Sequence, residues 1–143
     1  MQITEHFSLA ELTTSEWAAR NHVANTPSAN ELVNLHKTAA LLEAVRKLVG
    51  VPIRITSGFR CAQVNAAIGG SKTSAHMSGL AADINASGLA PRQLADKIVA
   101  SSLSFDQLIL EFGSWVHLGL FNTGNRRQVL TKDATHDYTP GLH

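Results

Sequence analysis

The stretch SAHMSGLAAD, residues Ser74 to Asp83, puts a histidine and an aspartate seven residues apart with Gly79 between them, and a second histidine, His117, follows in WVH. Imidazole nitrogen and carboxylate oxygen are donors that zinc accepts, and a site with three protein donors keeps its fourth position for water or substrate. A carboxylate that is not itself a ligand can then take the proton of that water. His76, Asp83 and His117 meet the first requirement, and Glu111, six residues before His117, meets the second. Arg60, which ends SGFR, is a cation able to grip a carboxylate or steady an oxyanion.

These groups act together only if the elements carrying them aim them at one point. In Leu80-Ala81-Ala82-Asp83-Ile84 a period of two puts Leu80, Ala82 and Ile84 on one face and Asp83 on the other. His76 precedes this run in a loop of small residues, where Gly79 permits close backbone approach. Further on, Val116, Leu118 and Leu120 form an apolar set that leaves Trp115 and His117 opposite, and Leu108, Leu110 and Phe112 leave Glu111 opposite. The two apolar sets share a face only if the loop between the strands has odd length. A three-residue loop, Phe112-Gly113-Ser114, satisfies this, pairs Glu111 with Trp115 and puts Glu111 diagonal to His117 on one side.

The rest of the chain supplies the supporting elements. Ser8 with Glu11 forms a capping box for a short first helix, with Phe7 as its staple, and Ser28 with Glu31 opens a longer one. Along that helix Leu32, Leu35, Ala39, Leu42, Val45 and Val49 share a face, and Gly50 ends it. Glu43 and Arg46 read as a solvated pair on its outer side. Ile53 to Thr56 alternates as a strand, a short helix follows Arg60, and Pro91 starts a helix running to about Ser101. Strand-like runs cover 106–112, 115–121 and 128–131. Helices first and strands later, joined by hairpin-type connections, predict an α+β fold with an antiparallel sheet and helices packed on one side. One domain over 1–143 is expected, its core at about 28–131, with a short N-terminal helical segment and a polar C-terminal tail.

Composition narrows the function. Of 143 residues, 12 are basic and 11 acidic, for a net charge of +1, which lacks the basic stripe a nucleic-acid binder needs. Cys61 is the single cysteine, so neither a disulfide framework nor a cysteine zinc cluster is available, and it reads as a packing residue. MQITEHFSLAEL has no basic start or apolar run of signal-peptide length, and no stretch is long and apolar enough to span a bilayer. Synthesis in the cytoplasm without a signal peptide is therefore expected, with no membrane insertion, and the chain is read as a monomer.

SGFR, the histidine of SAHMSGLAAD sixteen residues after Arg60, and the later WVH together resemble the zinc D-alanyl-D-alanine carboxypeptidases, a group that includes phage cell-wall endopeptidases and shares its fold with the hedgehog signalling domain. The resemblance covers roughly residues 32–120. It implies a hedgehog/DD-peptidase-like fold, zinc held by His76, Asp83 and His117, Arg60 against a substrate carboxylate or carbonyl, and Ser74 at the cleft edge. It also implies a peptidoglycan stem peptide as substrate, cut at an amide involving D-amino acids, with the enzyme acting on the wall after release or as part of a phage particle. Many relatives carry the catalytic Asp or Glu three residues before the last histidine; that position is Ser114 here, which leaves Glu111 as the base.

Trp115 reads as a hydrophobic wall of the cleft or as a surface on which substrate stacks. His6, His22, His36, His136 and His143 lack comparable neighbours and read as surface or helix residues. Two functions fit these residues: a zinc metallopeptidase acting on peptidoglycan, or a zinc-containing phage structural or wall-binding module that has lost hydrolysis.

Overall fold

Ser28 and Glu31 bond reciprocally across the first turn of the longest helix: the Ser28 hydroxyl accepts from the Glu31 N–H at 3.3 Å and Glu31 accepts from the Ser28 N–H at 2.8 Å. That helix runs over Ala29–Val49 and stops at Gly50, whose φ of 72° is the left-handed cap. The computed structural model describes all residues from Met1 to His143. In chain order the elements are α1 (Leu9–Thr13), α2 (Glu16–Arg20), α3 (Ala29–Val49), β1 (Ile53–Ser57), α4 (Ala62–Ala67), a one-turn 3-10 helix (Ala75–Ser78), β2 (Ala81–Ala86), α5 (Pro91–Ala100), β3 (Gln107–Glu111), β4 (Trp115–Gly119), β5 (Gln128–Lys132) and β6 (Thr139–Pro140). The alternation patterns anticipated most of these; α2, the 3-10 turn and β6 are too short to show a period.

One six-stranded sheet, in the order β1-β2-β4-β3-β5-β6, organises the molecule. Its core face carries Ala82, Ile84, Leu108, Leu110, Val116 and Leu118, packed with Leu35, Ala39, Leu42 and Val45 of α3 and Leu94 and Ile98 of α5. Removing each large aliphatic side chain of this set from water contributes about 1.5–3 kcal/mol. The core extends beyond the expected 28–131. Phe7 and Leu12 are fully buried, because the N-terminal segment turns back and α1 packs on β1.

The sheet is not wholly antiparallel. β1-β2, β2-β4, β3-β4 and β5-β6 pair antiparallel, whereas β3 and β5 run parallel, with Gln107 opposite Gln128 and Glu111 opposite Lys132. The reason is geometric. β4 ends with Gly119 beside Gln107, the start of β3, and β5 begins beside that same end after skipping over β3. A strand entering there has to follow β3's direction. The crossing loop is anchored by Arg126, whose backbone N–H and Nε donate to one oxygen of Asp106 at 3.1 and 2.9 Å and whose Nη2 donates to the other at 3.0 Å.

The β3-β4 hairpin closes as its alternation requires, with Glu111 opposite Trp115, Ile109 opposite His117, and the Ser114 N–H donating to the Glu111 carbonyl at 2.9 Å. Phe112 is not in the core set; it sits in the turn with φ 55° and its ring is largely exposed. Glu43 also departs from expectation. Its carboxylate faces His6, at 2.7 Å from the backbone N–H and 2.6 Å from ring Nδ1, because the folded-back N-terminus brings both groups of His6 to it.

Gly79 joins the sheet to α3. Its carbonyl accepts from the Thr38 hydroxyl at 2.7 Å, its φ is +78°, and a methyl group there would lie 2.6 Å from the Glu31 carbonyl oxygen. Gly79→Ala should therefore cost at least about 2 kcal/mol, combining the left-handed backbone cost with displacement of α3. A Tm fall of roughly 4–8 °C in thermal unfolding is the expected reading, and an unchanged Tm would refute the contact.

Asp106 gives a pH signature. Its hydrogen bonds from Arg126 hold the carboxyl below its ordinary value, against the opposing effect of burial. A folded-state pKa below the unfolded one, about 3.9, adds stability that is complete above that value and lost as pH falls through the folded pKa. Asp106→Asn should lower Tm at pH 7, with the gap to wild type closing below about pH 4. A gap of the same size at pH 7 and pH 3 would exclude the charge as its source.

Candidate metal centre

Asp83 and His117 face each other directly across the β2-β4 ladder, on the side of the sheet opposite Ala82 and Ile84. His76 arrives from the 3-10 turn, whose start is capped by the Ser74 hydroxyl accepting from the His76 N–H at 3.2 Å. Strand alternation placed Asp83 away from the core but not in solvent, since the His76 turn covers it. His76, Asp83 and His117 are exposed by only 2, 4 and 9 %. Their donor atoms form a nearly equilateral triangle: His76 Nε2 lies 3.2 Å from Asp83 Oδ1 and 3.2 Å from His117 Nδ1, and His117 Nδ1 lies 3.1 Å from Asp83 Oδ1.

The chemistry of this triangle fits a cation. His76 Nδ1 is 2.7 Å from the Gly58 carbonyl oxygen, which can only accept, so the ring's proton sits on Nδ1 and the Nε2 lone pair points at Asp83 and His117. Two electron-rich atoms, an imidazole lone pair and a carboxylate oxygen, thus meet at 3.2 Å in a buried place. Zinc bound tetrahedrally at about 2.0–2.2 Å holds its donors about 3.3–3.6 Å apart, slightly wider than the 3.1–3.2 Å spacing seen here. The Gly58 carbonyl supplies the outer hydrogen bond that orients a ligating imidazole.

Gly58 explains the glycine of SGFR. A side chain there would collide with the Leu12 carbonyl, which instead accepts the Phe59 N–H at 2.7 Å. Arg60 is fixed from three sides: Nε donates to the Ser57 hydroxyl at 3.1 Å, Nη1 to Asn65 Oδ1 at 3.4 Å and Nη2 to Asp83 Oδ2 at 3.4 Å. It therefore braces the oxygen of Asp83 that is turned away from the histidines. Ser57, the serine of SGFR, and Asn65 hold it, and Asn65 carried no recognisable signal in the sequence.

Glu111 is outside the donor triangle, one row along the sheet from His117. Trp115 Nε1 donates to Glu111 Oε2 at 2.7 Å, which fixes the carboxylate and leaves Oε1 without a partner in the chain. Ser114 lies in the exposed turn with its hydroxyl donating to the Phe112 carbonyl at 3.2 Å. The C-terminal segment packs by Lys132, the ladder neighbour of Glu111. Burial and the negative charges of Glu111, Asp137 and Asp83 raise the Tyr138 phenol above its ordinary value. Lys132, beside Glu111 in the ladder, lies 5.8 Å from the rings of both Phe112 and Tyr138. Tyr138 was not anticipated, since it falls in a polar tail with no periodicity.

The profile of the Peptidase M15 family matches residues 5–119 of the chain. Among curated proteins, the zinc D-Ala-D-Ala carboxypeptidase of Streptomyces albus G is 39% identical over 84 residues. That stretch is 57% of this chain and 31% of the Streptomyces protein, so the chain spans about a third of the length of the relative it matches.

Purified protein should hold one zinc ion per chain by elemental analysis, and His117→Ala should lose most of it. Removing one of three donors from a site whose occupancy is linked to folding should also lower Tm, and chelation should lower the wild-type Tm in the same direction. Zinc content undiminished in His117→Ala would move the site elsewhere.

Proposed function

Because the chain belongs to the peptidase M15 family, we propose that it is a zinc metallopeptidase that cleaves an amide bond in peptidoglycan stem peptides, on a hedgehog/DD-peptidase-like fold. The observation that carries this reading is the buried convergence of His76, Asp83 and His117 with a separately held carboxylate, Glu111, on the same side of the sheet. The name of the Streptomyces relative, a zinc D-Ala-D-Ala carboxypeptidase, supports the substrate class.

His76 Nε2, Asp83 Oδ1 and His117 Nδ1 would hold the metal. Zinc bound there supplies Lewis acidity toward a scissile carbonyl and lowers the pKa of water. Glu111 accepts the proton of the attacking water at Oε1, the oxygen that Trp115 leaves free, and returns it to the departing amine. The Trp115 indole keeps that carboxylate from swinging, so no reorientation is needed when the proton moves. Arg60 directs Asp83 through its Oδ2, and its guanidinium borders the space where a substrate carboxylate or developing oxyanion would sit. Ser74 contributes by capping the His76 turn at the edge of the cleft.

Carboxypeptidase and endolysin-type endopeptidase are two forms of this reading. Mass spectrometry of digested muropeptides separates loss of a terminal D-alanine from scission within a stem or cross-link. The second reading, a zinc-containing phage structural or wall-binding module, draws on Ser114 at the position where many relatives carry the acid.

Steady-state kinetics on purified muropeptides test the assignment. Glu111→Gln preserves shape and the bond from Trp115 but cannot accept the proton, so kcat should fall about 100-fold or more with zinc content unchanged. Near-wild-type turnover in Glu111→Gln would remove Glu111 as base. A zinc-loaded wild type that cuts no peptidoglycan fragment would favour the binding module.

A further inference from the structure

A groove lies at the edge of the sheet, between α2 and α4. Trp17 and Arg20 of α2 and Arg54 and Ser57 of β1 line it, and Arg60, which also lines it, bonds to Asp83 of the donor triangle. Register puts Arg54 on the metal-bearing face. It pairs with Asn85, which lies two residues along β2 from Asp83, and an irregularity after Ile55 brings Ser57 opposite Asp83. The groove therefore has three guanidinium groups along it and one carboxylate, Glu16, in a chain whose net charge is only +1. Arg60 is engaged by Asp83, whereas Arg20 and Arg54 are exposed and form no ion pair. β1 is also the outermost strand, with β2 its single strand partner, so its far edge is open to an extended chain.

Resting on the peptidase reading above, we propose that this groove is a substrate subsite in which Arg20 and Arg54 grip free carboxylates of an extended, anionic peptide whose scissile amide lies at the metal centre. The planar fork of a guanidinium matches a carboxylate in two parallel hydrogen bonds, and peptidoglycan stem peptides carry free carboxylates on side chains and at the C-terminus. The groove thus selects for charge on the part of the peptide remote from the bond that breaks.

Calorimetric titration of a synthetic stem pentapeptide, in its free-acid form and with its carboxylates amidated, tests this on zinc-loaded Glu111→Gln protein, with mass spectrometry of each mixture to verify that the peptide is intact. With the groove unaltered, the free acid should bind about tenfold or more tightly than the amide, and the difference should shrink with added salt. Arg20→Gln and Arg54→Gln, each added to Glu111→Gln, should weaken the free acid roughly 5- to 10-fold and leave the amide unaffected. Arg54→Lys, which keeps the charge without the fork, should fall between. Equal affinity for both peptides with the groove unaltered, or unweakened binding in both glutamine variants, overturns the subsite. If the wild type still cleaves muropeptides, the peptidase reading stands without it. A zinc-loaded wild type that cleaves neither peptide, with no binding in Glu111→Gln, overturns both.

Discussion

Three electron-pair donors packed 3.1–3.2 Å apart and away from water are the constraint around which the rest of this protein is arranged. A buried carboxylate beside an imidazole lone pair is unfavourable unless something positive lies between or beside them. The chain supplies part of that charge itself, through Arg60 on the far oxygen of Asp83, and leaves the near oxygen turned to the two histidines. Two opposing demands are met at once. Asp83 stays ionised though buried, and its ligating oxygen remains unblocked.

Holding that geometry requires backbone to come unusually close to backbone in two places. At Gly58 the strand β1 exits beneath the Leu12 carbonyl, so α1 and the Gly58 carbonyl that orients His76 are fixed relative to each other. At Gly79 the 3-10 turn carrying His76 lies against α3, with Thr38 bonded to the glycine's carbonyl. The N-terminal segment and the long helix therefore act on the metal centre without touching it. The burial of Phe7 and Leu12 follows from the same arrangement. A looser N-terminus would release the turn that aims His76.

What could be read from the sequence followed from period and parity. The two-residue alternation in β2, β3 and β4 assigned Asp83, Glu111, Trp115 and His117 to one face, and the odd loop length placed Glu111 opposite Trp115, as the ladder has it. Capping boxes at Ser8 and Ser28 marked two helix starts because their hydrogen bonds are local. Local pattern could not reach decisions made by distant partners. The parallel pairing of β5 depends on which edge remained free after β4 inserted beside β2. The partner of Glu43 was a backbone N–H 37 residues away, not the neighbour on its own helix. Tyr138 approaches Glu111 only because β6 adds to β5 at the end of the sheet. Phe112 looked like the end of an apolar series, yet a tight turn needs its residue whatever the hydrophobicity.

The separation of Glu111 from the donor triangle follows from strand geometry. Glu111 and His117 occupy successive rows of the same face, and two residues along a strand advance about 6.6–6.8 Å. Glu111 therefore stands one row from His117, outside the group of three donors. The bond from Trp115 fixes the carboxylate in that row. The position three residues before His117 is Ser114, in the exposed turn, with its hydroxyl bonded to the Phe112 carbonyl. With a hairpin of this length, the row next to His117 is the nearest place from which a strand-borne acid can face the metal centre without entering it, and Glu111 occupies it.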